Sequence, residues 1–144
     1  MDKAQALTVR YMLDTNICIH LIQRQPKQVL DRFKLLKHGD VVMSVVTFAE
    51  LRHGVERDPA QKSAAHRALT ALQGFIPVLS FDVDAAQSYG ELAAAAKDRR
   101  RDALDRLIAA HAVSLGLTLV TNNEADFKGY PGLALENWTA EVAP

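Results

Sequence analysis

The sequence has one cysteine, Cys18, among 144 residues. An intramolecular disulfide is therefore excluded and a reducing compartment is expected. Cys18 itself lies in the apolar run Ile17-Cys18-Ile19 and is read as a small core residue rather than a reactive thiol. No apolar run approaches the ~18 residues of a membrane span, and no secretory leader is apparent, so the expected location is cytoplasmic, without membrane attachment. Net charge is also missing, because 17 Lys and Arg balance 17 Asp and Glu. That excludes recognition of nucleic acid by a global polycationic field and leaves only a local basic patch for such a role. Aromatic residues make up 6% of the chain and few lie near the segments considered below, so base stacking is not evident.

What remains is an ordinary globular composition, 49% hydrophobic and 24% charged, long enough for one domain with a substantial core. Residues 1–8 lack a strong pattern and read as a lead-in; residues 9–144 read as a single unit, with no repeat or linker. Apolar runs alternate with amphipathic stretches, which predicts an α/β domain with a mostly parallel central sheet flanked by helices. Strands are expected at Val9–Leu13, Asp40–Ser44, Phe75–Leu79, Leu117–Thr121 and Leu133–Trp138, the third demoted to an edge by Pro77. Helices are expected at Thr15–Gln23, from Pro26 to about Lys37, Val45–Arg57, Ala60–Gln73, from Asp82 to about Arg100, and up to Gly116 along the stripe Leu104, Leu107, Ile108, His111, Leu115. On that stripe His111 reads as a core histidine.

Three acids stand out because each interrupts an apolar segment, where ionised groups are rarely buried without compensation. Asp14 ends the first strand in Met12-Leu13-Asp14-Thr15-Asn16, at the carboxyl edge where open α/β sheets hold ligands. Glu50 sits in Thr47-Phe48-Ala49-Glu50-Leu51, about one and a half turns into its helix. Asp105 opens Asp105-Arg106-Leu107-Ile108-Ala109-Ala110-His111. Singly, each has an ordinary explanation: Asp14 as a helix cap, Glu50 as a partner of Arg52 or Arg57, Asp105 as a favourable charge at a helix amino end. Jointly, with the first strand central, all three reach one edge. Converging carboxylates call for a hard divalent cation, Mg²⁺ or Mn²⁺. Without it, at least one should have a raised pKa.

These segments, together with Ser44 through Gly54, Leu119-Val120-Thr121-Asn122-Asn123 and Pro131-Gly132-Leu133 through Trp138, resemble in order the motifs of PIN-domain ribonucleases. More narrowly they are similar to the VapC toxins of bacterial toxin–antitoxin pairs, over about Val9 to Trp138. The resemblance implies Asp14, Glu50 and Asp105 as catalytic, metal-binding acids, with a fourth acid just after the Thr121 strand. That position is Asn123 here, which carries no charge, and Asp126 is the substitute candidate. Before Asp105, where related toxins carry a glycine-containing loop, this chain reads Lys97-Asp98-Arg99-Arg100-Arg101-Asp102. Asp102 is a further candidate for the metal site, and Arg99, Arg100, Arg101 and Arg106 are candidates for the RNA backbone, against the alternative of a solvated helix end. Asn16, Ser44 and Thr121 are candidates for orienting ligands or water.

The implied activity is hydrolysis of RNA, tRNA or another structured RNA, by metal-activated water, leaving 5′-phosphate and 3′-hydroxyl ends. The five histidines are scattered and offer no pair for metal-free acid–base cleavage. The implied partners are a VapB-like antitoxin whose tail fills the acidic groove and a second copy of the chain. Two alternatives stand beside this. A receiver-like signalling domain would need an acidic pair after strand one and an Asp ending a central strand, and neither is present. A catalytically weak PIN-like binding subunit would account for Asn123.

Overall fold

The structure, a computed structural model, describes residues 9–96 and 103–140. The described residues form five parallel strands, β1 (Tyr11–Leu13), β2 (Val41–Ser44), β3 (Val78–Leu79), β4 (Thr118–Thr121) and β5 (Ala134–Asn137). They are ordered β3-β2-β1-β4-β5, which puts β1 in the centre. Tyr11 pairs with Val41 on one side and Thr118 on the other, and Leu13 pairs with Val120. The helices are α1 (Thr15–Gln23), α2 (Lys27–Lys34), α3 (Val45–Arg57), α4 (Lys62–Gln73), α5 (Val83–Ala96) and α6 (Ala103–Leu115). No helix among the described residues is long and apolar enough to cross a membrane. The lead-in 1–8 and the basic segment before Ala103 lie outside the described residues.

The period-2 alternation of the strands divides the core between two faces. Tyr11, Leu13, Val41 and Met43 pack with Ile17, Leu21, Leu51 and Leu69 from α1, α3 and α4. Met12, Val42 and Leu119 pack with Leu92, Ile108 and Ala112 from α5 and α6. Helices therefore cover both faces, as an all-parallel sheet requires.

Element ends depart from the sequence reading where local chemistry decides them. α2 stops at Lys34, three residues early, and Leu35 is left 81% exposed. The third strand keeps only Val78 and Leu79, although the Pro77 carbonyl still accepts from Met43 N–H at 2.9 Å. α4 starts after Asp58 Oδ1 has taken the Ala60 N–H at 3.1 Å in the preceding turn. α3 begins at Val45 despite two β-branched residues, because Ser44 caps it by accepting from Val46 N–H at 3.1 Å. α6 ends at Gly116, whose φ of +68° turns the chain into β4.

Candidate metal centre

Asp14 follows β1 directly and is only 5% exposed. Its N–H donates to the Val120 carbonyl at 2.9 Å, and its Oδ1 accepts from Ile17 N–H at 2.9 Å. The Thr121 hydroxyl, from the end of β4, also hydrogen-bonds the carboxylate. Capping of α1 is thus one real duty of Asp14, but a cap needs no burial. Desolvation by burial pushes its pKa up from 3.8 to about 6, against the two hydrogen bonds, and the charges of Asp105 and Glu50 push the same way. Those two charges place all three acids in one electrostatic neighbourhood, as the topology of β1, α3 and α6 requires.

Glu50 is half-buried on α3 and accepts a 2.6 Å hydrogen bond from Thr15 Oγ1. Arg52, one of its two expected structural partners, instead binds Glu56 at 2.9 Å and His66 at 3.0 Å. Asp105 lies half-buried in the first turn of α6. Among the described residues no three acid, histidine or cysteine side chains close into a preformed cage. The donor set nevertheless fits a hard cation: buried carboxylate, two further carboxylates acting on it, and hydroxyls bracing two of the three. Mg²⁺ in particular takes one or two carboxylates and keeps several of its waters.

A family model of the PIN domain matches residues 11–133. The chain belongs to the PIN-domain family. It is 39% identical to the "tRNA(fMet)-specific endonuclease VapC" of Shigella flexneri over 136 residues, covering 91% of this chain and 99% of that protein. With "Ribonuclease VapC2" of Rickettsia felis the identity is 35%, over 89% of this chain and 97% of the relative. Among solved structures, VapBC-1 from nontypeable Haemophilus influenzae matches at a TM-score of 0.80 and 33% identity, covering 92% of this chain and all of that one. VapBC2 from Rickettsia felis, bound to a DNA fragment of its promoter, matches at 0.77 and 32%, covering 90% and 99%.

The remaining candidates fall around this PIN-domain edge in three groups. Thr121 is fully buried and serves two neighbours, hydrogen-bonding Asp14 and accepting from Asn123 N–H at 3.0 Å. Asn123 in turn donates from Nδ2 to Asp126 Oδ2 at 2.8 Å, so the two candidates for the fourth position are bonded to each other. Asn16 donates to Asn122 Oδ1 at 3.4 Å, and Asn122 Nδ2 lies 3.3 Å from His20 Nε2. Ser44 is buried and engaged with Val46 and His111.

Arg106 corrects an expectation. It is 5% exposed, turned inward toward Tyr89 and Tyr130, and is not placed to meet an RNA strand. Asp102, Arg99, Arg100 and Arg101 lie outside the described residues. Sequence reasoning missed the Thr15 bridge to Glu50, which joins residues 35 positions apart. It also missed His20, whose helical spacing from Asn16 was the available signal. Beside Glu50 opens a groove of about 440 Å³, lined by Thr15, Asn16, Ile19, His53 and Arg57 among others.

Proposed function

We propose that this chain is the toxin of a toxin–antitoxin pair, an endoribonuclease that hydrolyses RNA phosphodiester bonds with Mg²⁺ or Mn²⁺ as cofactor. The observation that carries the reading is Asp14: a buried carboxylate with a pKa near 6, held against two further carboxylates, is costly unless a cation compensates it. Asp14, Glu50 and Asp105 would hold the metal, which when bound polarises the scissile phosphate and raises the acidity of water. The protein's own part is geometric. Asp14 is fixed to two strands and a helix end, Thr15 fixes the rotamer of Glu50, and Thr121 braces Asp14 from β4. A water attacking phosphorus in line makes the expected products 5′-phosphate and 3′-hydroxyl ends, and 2′,3′-cyclic phosphates would overturn that mechanism.

Transfer RNA is the first substrate to test, since a relative 39% identical bears a tRNA-specific name. The expected partner is a VapB-like antitoxin, because the similar solved structures are VapBC complexes. Its tail would occupy the groove beside Glu50, where an inserted arginine would satisfy the carboxylates. A second copy of the chain is the expected oligomeric partner.

A second reading, a binding subunit with little catalysis, draws on Asn123 standing where a fourth acid is expected and bonding Asp126 instead of carrying charge. One experiment separates the two. Purified, antitoxin-free protein is incubated with total cellular RNA in Mn²⁺, in EDTA, and as Asp14→Asn. Discrete products that need metal and vanish in the variant establish the nuclease; folded protein without metal-dependent cleavage overturns it and points to the binding subunit.

A further inference from the structure

We propose that His111 is a positioning residue for the nuclease site, tying the helix that carries Asp105 to the amino end of the helix that carries Glu50. The proposal rests on the nuclease reading above. Its foundation is a single contact across the seam between α3 and α6: His111 Nδ1 lies 2.8 Å from Ser44 Oγ. Both residues are buried, His111 at 2% exposure and Ser44 at zero. Ser44 already accepts from Val46 N–H as the cap of α3. Its one proton is then free to go to Nδ1, and the ring also hydrogen-bonds the Ser80 backbone. Phe81 holds the ring edge-to-face, with centroids 5.4 Å apart and planes at 73°.

In this arrangement the neutral ring, hydroxyl and helix cap are all satisfied at once, in one tautomer. Burial favours that neutral form over the opposing pull of Asp82. The leverage follows from position. Ser44 stands six residues before Glu50 and His111 six after Asp105, about 9 Å along each helix. The two acids are therefore carried on rigid rods pinned to each other at one hydrogen bond. An apolar side chain would fill the same stripe, but it would leave the cap hydroxyl with an unused donor and the seam without a fixed register. A shift of a few tenths of an ångström between α3 and α6 changes the separation of Glu50 and Asp105, and the loss is expected to approach the roughly 10–100-fold seen when a partner of a metal ligand itself is removed.

The test compares the full-length wild type with His111→Asn and His111→Gln by calorimetric Mn²⁺ titration, Mn²⁺-dependent RNA cleavage and thermal melting. Asn places an acceptor oxygen where Nδ1 stood, whereas Gln extends past Ser44 toward the Ser80 end. The expected result is a kcat for His111→Gln lower by about 10–100-fold with KM unchanged, and weaker Mn²⁺ binding. His111→Asn should recover to within about threefold of wild type, and Ser44→Ala should reproduce the Gln defect, with no further loss when the two are combined. A folded His111→Gln with wild-type kcat and Mn²⁺ affinity, or an Asn variant no better than Gln, overturns the proposal. Wild type that neither binds Mn²⁺ nor cuts RNA overturns the nuclease reading and this proposal with it; wild type that does both, beside an unimpaired His111→Gln, overturns this proposal alone.

Discussion

Thr15 Oγ1 donates a 2.6 Å hydrogen bond to Glu50 Oε1 across 35 positions of sequence. Thr15 is also the first residue of α1, directly after Asp14. One residue thus couples the rotamer of the α3 acid to the backbone that carries the β1 acid. Thr15→Ala should lower kcat of RNA cleavage by about tenfold while costing about 1 kcal/mol of stability, and Thr15→Ser should restore the rate. Equal rates for the Ala and Ser variants would show that the hydroxyl does nothing beyond filling space.

The raised pKa of Asp14 fixes the sign of a stability change with pH. The native carboxyl holds its proton up to about pH 6, against 3.8 in the ordinary state. Its stabilising contribution is full below pH 3.8 and is lost as pH rises through 6, an effect of about 3 kcal/mol. Asn caps helices as well as Asp does. In EDTA, Asp14→Asn should therefore melt higher than wild type at pH 7.5, with the gap closing by pH 4. Mn²⁺ should raise the melting temperature of wild type and leave the variant unmoved.

Asn123 and Asp126 share a 2.8 Å hydrogen bond that depends on the amide donor. Asn123→Asp replaces that donor by a second negative charge. The metal-free chain should lose about 1 kcal/mol, while Mn²⁺ affinity rises because the site gains a carboxylate. Calorimetric titration beside melting in EDTA reads both signs. Unchanged Mn²⁺ affinity would place position 123 outside the metal's reach.

Much of this organisation was legible because it rests on local rules. The helix from Val45 is expected despite its β-branched start, although the Ser44 cap that secures it shows only in the structure, and Gly116 marks the turn into β4. Asp14 after a short apolar run marks the sheet edge. What could not be read depends on residues far apart in sequence. Arg106, beside Asp105, looks like part of a basic patch, yet it points inward to oxygens of Tyr89 and Tyr130, from α5 and from the loop before β5. α6 is buried on several sides, so helical spacing alone does not say which way a cation on it faces. The Asn123–Asp126 bond is equally invisible until the short 3₁₀ turn at Glu124–Asp126 brings the two side chains together.

Gly54 offers a separable test of the groove beside Glu50, because it lines that groove from within α3. A Cβ there would meet only Arg57 Nη2, at 3.9 Å, an ordinary contact. Gly54→Ala should thus stabilise the chain by about 0.5–1 kcal/mol, the usual gain in a helix interior. A large residue is a different matter, since it extends into the open groove where the antitoxin tail is expected to lie. Gly54→Trp should retain Mn²⁺ binding and folding yet weaken inhibition by the cognate antitoxin at least tenfold. Unaltered inhibition of a folded Gly54→Trp protein would mean that the tail takes another path to the acids.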